Sequence, residues 1–226
     1  IGPRPMAQVK PRRRRRQSME PIMDHAPEPL ARLSELIAAR IAHDLAGGVG
    51  AASAAIETLE EIEAGEAPAD FRADALAIGR EATAKLAATL RLNRIAFGPS
   101  GGAGAAREAA DAARDALAQR GVALDWAVEG GDPRIAALAI IAACDLLPRG
   151  GEIRLRVEDD GALLLVFQGP NVGDIAKAAG LILEGPLGPN ASARAAPLLA
   201  LAARGPCRIA PTPTGGALTV GPMTKL

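Results

Sequence analysis

Apolar side chains recur at helical spacing along an unusually long stretch of this chain. Leu33, Ile37, Ile41 and Leu45 lie upstream of a Gly47-Gly48 pair, and Val49, Ile56 and Leu59 continue the stripe past it. The pattern predicts one helix from about Pro29 to about Ala64, broken by Gly65 and Pro68. A second stripe through Phe71, Ala75, Ile78, Ala82, Leu86 and Thr89 predicts another helix to about Phe97, with Asp70 as its N-cap. Two long helices joined by a short turn make an antiparallel hairpin, which buries only its facing stripes. Pairing two hairpins into a four-helix bundle covers the remainder, so the pattern predicts a homodimer.

Past residue 97 the rhythm changes. Gly98-Pro99-Ser100-Gly101-Gly102-Ala103-Gly104 is a linker by composition. Ala105 to Arg120 reads as an amphipathic helix closed by Gly121, and Val122, Leu124 and Trp126 alternate as in a strand. Ile135 to Leu147 reads as a buried helix. Ile153, Leu155 and Val157 alternate with Arg154 and Arg156, giving a half-buried strand with a basic outer face. The Asp159-Asp160-Gly161 turn and Leu163 to Phe167 complete a hairpin. Helical segments follow at Asp174–Leu183 and Ala193–Ala203, then a second hairpin from Cys207–Ala210 and Ala217–Val220. Helices on one face of a mixed, largely antiparallel sheet give an α+β, two-layer architecture. The chain divides into a disordered basic tail (1–28), a helical hairpin (29–97), a linker (98–104) and an α/β domain (105–226).

Composition decides what fills these elements. Of 226 residues 49% are hydrophobic but only 2% aromatic, with no Tyr, so Leu, Ile, Val and Ala must build the core. Such thin side chains favour close helix packing. The zero formal net charge hides an asymmetry: Arg4, Lys10 and Arg12 to Arg16 put seven cations and no acid into the first sixteen residues, leaving 19 bases against 26 acids elsewhere. The arginine run lacks accompanying aromatics or a folded motif, so nucleic acid is not expected as a partner. Cys144 and Cys207 form no CxxC pair, which fits reduced thiols. No apolar run approaches the roughly 20 residues that span a bilayer. A soluble, cytoplasmic protein without membrane contact is expected.

His43 is one of two histidines, and it stands near the middle of the first helix. Imidazole is neutral and nucleophilic near neutral pH. Asp44 follows directly, a candidate for fixing the ring's tautomer. Ala46, Gly47 and Gly48 leave the adjacent surface bare, which suits a large partner docking there. Arg40, Gly47 and Gly48, with Arg154 and Arg156 on the middle strand, are the candidate docking residues. The plainer alternatives stand beside these: a satisfied helical histidine, a solvated Asp44 and a solvated basic strand edge. No His, Cys or Glu cluster suggests a metal site.

A histidine-bearing hairpin followed by an α/β domain resembles the core of a two-component sensor kinase. Three blocks resemble a narrower relative, the alphaproteobacterial histidine phosphotransferases of the ChpT type. These are His43-Asp44-Leu45 with Val49-Gly50-Ala51, Arg94-Ile95-Ala96-Phe97-Gly98, and Leu147-Pro148-Arg149-Gly150-Gly151. They occur in the family's order. Gly48 departs from the pattern, standing where the family signature has Pro, and Ala54 stands where Asn is expected; losing the Pro removes a fixed helix bend.

The resemblance implies a dimeric, degenerate kinase whose α/β domain is a Bergerat-type, ATPase-like sandwich. Such a protein binds no ATP and relays a phosphoryl group between aspartates of receiver domains through a phosphohistidine at His43. Its partners are the receivers of a hybrid kinase and of response regulators. No cofactor of its own is implied, Mg²⁺ arriving on the receiver. The residues agree. Ile140-Ile141-Ala142-Ala143-Cys144-Asp145 has no Asn to hold magnesium, and Phe167-Gln168-Gly169-Pro170-Asn171 has no acid to read adenine. Two other readings compete with this phosphotransferase: an ATP-dependent histidine kinase, and a non-catalytic dimeric adaptor.

Overall fold

In the computed structural model the first helix, α1, runs unbroken from Glu28 to Ala64, straight through Gly47-Gly48. Residues 28–99, 105–128 and 130–221 are described, with Gly2 apart from them; the expected basic tail, His25 and most of the expected linker lie outside the described residues. Two glycines inside a helix cost about 1 kcal/mol each relative to Ala. Gly48 offsets this by letting the helices close up. A Cβ there would stand 2.6 Å from Cγ of Leu86 on the second helix, whereas one on Gly47 would meet nothing within 4 Å.

The second helix, α2, spans Arg72–Phe97. Asp70, expected to cap it, does not. The chain enters through a 3-10 turn at Ala69–Phe71, so Asp70 lies inside that turn and Phe71 takes the cap position without a side-chain hydrogen bond. Ala75, Ala82 and Ala88 form the buried face of α2 against α1. Alanines at this spacing bring the backbones close, and that fits a chain without tyrosine.

Beyond the linker come α3 (Ala105–Ala118), β1 (Val122–Ala127), α4 (Pro133–Asp145), β2 (Gly151–Val157), β3 (Leu163–Gln168), α5 (Ile175–Glu184), α6 (Ala196–Ala202), β4 (Cys207–Thr212) and β5 (Gly215–Val220). The strands form one sheet in the order β1-β2-β3-β5-β4. The β1–β2 pair is parallel and the rest are antiparallel. Register places Ile153 opposite Phe167, and Leu155 opposite Leu165, which in turn faces Leu218. These residues share one buried face, against which α4 packs. The architecture is the expected α+β, with helices gathered on one side of the sheet.

Helix α4 is the centre of the core, with every residue from Ala136 to Cys144 buried. It starts two residues before the expected Ile135, because Asp132 accepts a hydrogen bond from the Arg134 amide at 2.9 Å and Pro133 fits the first turn. The Gly150-Gly151 step before β2 is a backbone requirement. Gly150 has φ +76°, and a Cβ there would lie 2.5 Å from the Gly121 carbonyl oxygen.

The hairpin does not stand apart from the α/β domain. Leu92 and Ala96 of α2 belong to the main core, while Leu33 and Leu36 of α1 pack with Leu181, Ala196 and Leu199. The far part of the hairpin keeps Val49, Ile56, Leu76 and Ile78 exposed, and Leu90, nearer the α/β domain, is exposed as well. No helix among the described residues is long and apolar enough to cross a membrane.

Candidate functional site

The half of α1 that packs on the α/β domain buries Leu33, Leu36 and, one turn further on, Arg40. Arg40 was expected on a docking surface. It is instead only 4% exposed, its guanidinium turned inward between two carboxylates. Its Nε donates to Oδ2 of Asp44 at 2.7 Å, and its Nη2 donates to Oδ1 of Asp145 at 3.0 Å. Nη1 completes a bidentate pair by donating to the other Asp145 oxygen. Burial alone would lower the Arg40 guanidinium. The hydrogen bonds and charges of Asp145 and Asp44 outweigh that and hold it above its ordinary value.

Three residues on, the His43 side chain is 85% exposed. Its Nδ1 lies 3.5 Å from Oδ1 of Asp44, longer than an ordinary hydrogen bond but close enough to tighten on complex formation. Asp44 therefore accepts from Arg40 through one oxygen while its other oxygen lies near His43. Gly47 lies one turn beyond the imidazole and leaves open space beside it. Gly48, also expected at the docking face, turns toward Leu86 in the hairpin interior.

His43 stands at the edge of a cleft of about 490 Å³, where α1, α2, α3 and α4 meet. Lys85, Arg120 and Arg194 join Arg40 as its cations, and Asn93 and Cys144 lie in its wall. Asn93 is buried and its Nδ2 has no hydrogen-bond partner among the described residues; nothing in the sequence singled it out. Burial pushes the Cys144 thiol up to about 11, which keeps it protonated and unreactive at neutral pH.

Arg154 and Arg156 do face outward from β2, as the alternation predicts. Each is tied to a neighbour on its own strand or its edge, Arg154 to Glu152 at 2.7 Å and Arg156 to Glu158 at 2.8 Å. They occupy the open face of the sheet, on the other side from the helices around His43, so the structure does not bring them to the imidazole. Where an Asn was absent from α4, Asp145 ends the helix with its carboxylate engaged by Arg40. After β3, Gly169 packs so tightly on Gly150 that a Cβ would stand 2.6 Å from its carbonyl oxygen.

No protein-family profile matches the chain, and no curated protein does either. Among solved structures, one described as a bacterial phosphotransferase superposes with a TM-score of 0.66 at 23% identity, covering 86% of this chain and 97% of that one. The chain shares the fold of a bacterial phosphotransferase. Two kinase structures superpose much more loosely. Full-length ShkA in complex with AMPPNP gives a TM-score of 0.36 at 16% identity, over 82% of this chain and 44% of that one. The histidine kinase domain of the blue-light activated histidine kinase EL346 from Erythrobacter litoralis gives 0.36 at 13%, over 88% and 95%. At that score neither bears on the site. At 86% coverage the superposition takes in parts of both the hairpin and the sheet domain.

Proposed function

We propose that this protein relays phosphoryl groups between aspartates of receiver domains through a phosphohistidine at His43, as its resemblance to the ChpT-type phosphotransferases implies. The observation that carries the reading is the setting of the imidazole. It is exposed on a long helix, held beside a carboxylate at Nδ1, and bordered by the bare turn at Gly47.

In this reading a docked receiver presents its aspartyl phosphate to the free Nε2. The Nε2 lone pair attacks phosphorus in line. The bond from phosphorus to the aspartyl oxygen breaks, and its electron pair stays on the departing carboxylate. Nδ1 keeps its proton, and Asp44 offsets the positive charge that develops on the ring. The reverse sequence delivers the phosphoryl group to an aspartate of a second receiver. The transition state is loose and strongly charged, so positioning and neutralisation supply most of the catalysis. Mg²⁺ held in the receiver's acidic pocket would neutralise the phosphoryl oxygens, and the chain's own residues orient the nucleophile.

A homodimer belongs to the same reading. Val49 and Ile56 share one stripe of α1, and Leu76 and Leu90 share one of α2, all of them exposed. A second hairpin laid against them would complete a four-helix bundle.

The test uses the purified full chain and a receiver domain phosphorylated beforehand with acetyl phosphate. Acid-labile, base-stable label should move from the receiver to wild-type protein and not to His43→Ala. Label arriving equally on the variant would refute the assignment of His43, and label arriving from ATP alone would favour a kinase.

A further inference from the structure

The structure assigns a task to the α/β domain that needs no nucleotide: through Arg40, Asp145 of that domain positions Asp44 against the His43 imidazole. This inference rests on the phosphotransfer reading of His43 and adds two positioning residues to it.

The connections are continuous. Asp145 closes α4, and its side chain is 11% exposed. Its two carboxylate oxygens take the two terminal nitrogens of Arg40, a partner 105 positions away in the chain. Planar, bidentate pairing of this kind fixes the plane of a guanidinium as well as its place. With that plane fixed, only Nε is left to face back along α1, and it holds Oδ2 of Asp44 at 2.7 Å. Oδ1 of Asp44 is thereby turned toward Nδ1 of His43. An aspartate with one helical neighbour would sample several rotamers, and one gripped by a charged donor does not.

Asp145 is itself held from other sides. Arg194 donates from Nη2 to its backbone oxygen at 2.7 Å, the Arg194 carbonyl accepts from Arg40 at 3.3 Å, and Arg120 approaches its Oδ1 at 3.7 Å. The anchor of the relay is thus part of the α/β core, while its reacting end is on the hairpin. A plain interdomain fastener would need Arg40 and Asp145 only. The further bond to Asp44, whose other oxygen lies toward the ring nitrogen that is not the nucleophile, is what a fastener would lack.

The test is Asp145→Asn in the full chain, which keeps the shape and removes the bidentate acceptor. The first readout is the tautomer of His43, read from ¹⁵N imidazole shifts; only His25 has to be distinguished from it. Wild type should hold its proton on Nδ1, and the variant should shift toward the Nε2–H form. The second is single-turnover transfer from a phosphorylated receiver. The rate at saturating receiver should fall about 2- to 30-fold, the range typical of coupling through a contact network, with the half-saturating concentration unchanged. Glu108→Gln, which breaks the separate Arg94–Glu108 tie between hairpin and domain, should change neither readout. Asp145→Asn matching wild type in tautomer and rate would overturn the inference, as would a change confined to the half-saturating concentration. If Asp145→Asn fails to fold, Arg40→Lys, which keeps the charge but cannot serve both carboxylates, is read by the same criteria. Because the tautomer is measured without a receiver, a tautomer that shifts in Asp145→Asn while the wild-type protein never accepts phosphate would sink the phosphotransfer reading and leave the positioning in place.

Discussion

Replacing Arg40 by methionine should destabilise the fold by about 3–5 kcal/mol, the usual cost of removing one partner from a buried ion pair. The structure sets that magnitude. The Arg40 side chain is 5% exposed and that of Asp145 is 11%, so the stranded Asp145 carboxylate has little water to turn to. Coulomb's law gives the same scale, since two unit charges 4 Å apart interact by about 4 kcal/mol at the effective dielectric of a protein and about 1 kcal/mol in water. Asp44 is 18% exposed at the cleft's edge and regains some hydration, so it adds less. In a protein of this size each kcal/mol moves the melting midpoint by about 2–4 °C, so the midpoint should drop by about 6–20 °C. The assay is thermal and urea unfolding of wild type, Arg40→Met, Asp145→Leu and the double variant. The double variant should recover most of the loss, because an apolar pair of similar volume avoids the cost of desolvating two ions. A loss below about 1 kcal/mol for Arg40→Met would refute the reasoning, since that is the value of a solvated surface pair.

The two glycines beside His43 should separate cleanly. Gly47→Ala should stabilise the chain by about 1 kcal/mol in urea unfolding, because helix propensity improves and the new methyl meets nothing within 4 Å. Gly48→Ala should give no gain and lose up to about 2 kcal/mol, since its methyl lands 2.6 Å from Leu86 Cγ and overpacking offsets the propensity. Asp132→Ala should cost about 1 kcal/mol through loss of the α4 cap. Burial alone would raise the Asp132 carboxyl, but the Arg134 hydrogen bonds and charge outweigh it and hold it below its ordinary 3.8. A carboxyl lower in the folded chain contributes its full stability above the unfolded value and loses it as pH falls through the folded one. Wild type and Asp132→Ala should therefore converge in stability below about pH 3.8, checked by unfolding across an acid series.

Most of the fold can be read from periodicity because one-sided burial imposes it. Helices α1 and α2 and the alternation of Ile153 and Leu155 with Arg154 and Arg156 follow the predicted pattern, although Val49, Ile56, Phe71 and Ile78 of the two helical stripes are exposed. What periodicity does not carry is the identity of partners distant in sequence. Arg40 reads as a surface charge, since arginine is seldom buried. Both of its partners, Asp44 one turn along α1 and Asp145 in the other domain, emerge only from the structure. Asp145 itself was noticed only as a missing Asn. Asp70 looked like a cap because the sequence cannot show that a 3-10 turn precedes the helix. Arg154 and Arg156 were correctly placed outward, yet the strand pattern has no means of saying that their face lies across the sheet from His43.

A buried ion pair is a weak reason for stability, because desolvation consumes most of what the attraction returns. Its retention here at the seam between hairpin and sheet domain therefore calls for a reason besides stability, and the bond from Arg40 to Asp44 supplies one. Geometry and stability then become separable. The Arg40→Met, Asp145→Leu double variant should regain its melting midpoint while its Asp44 is left ungripped, so transfer through His43 should stay as slow as in Asp145→Asn. Transfer restored along with stability would mean that the seam merely fastens two pieces together, and that Asp44 orients the imidazole unaided.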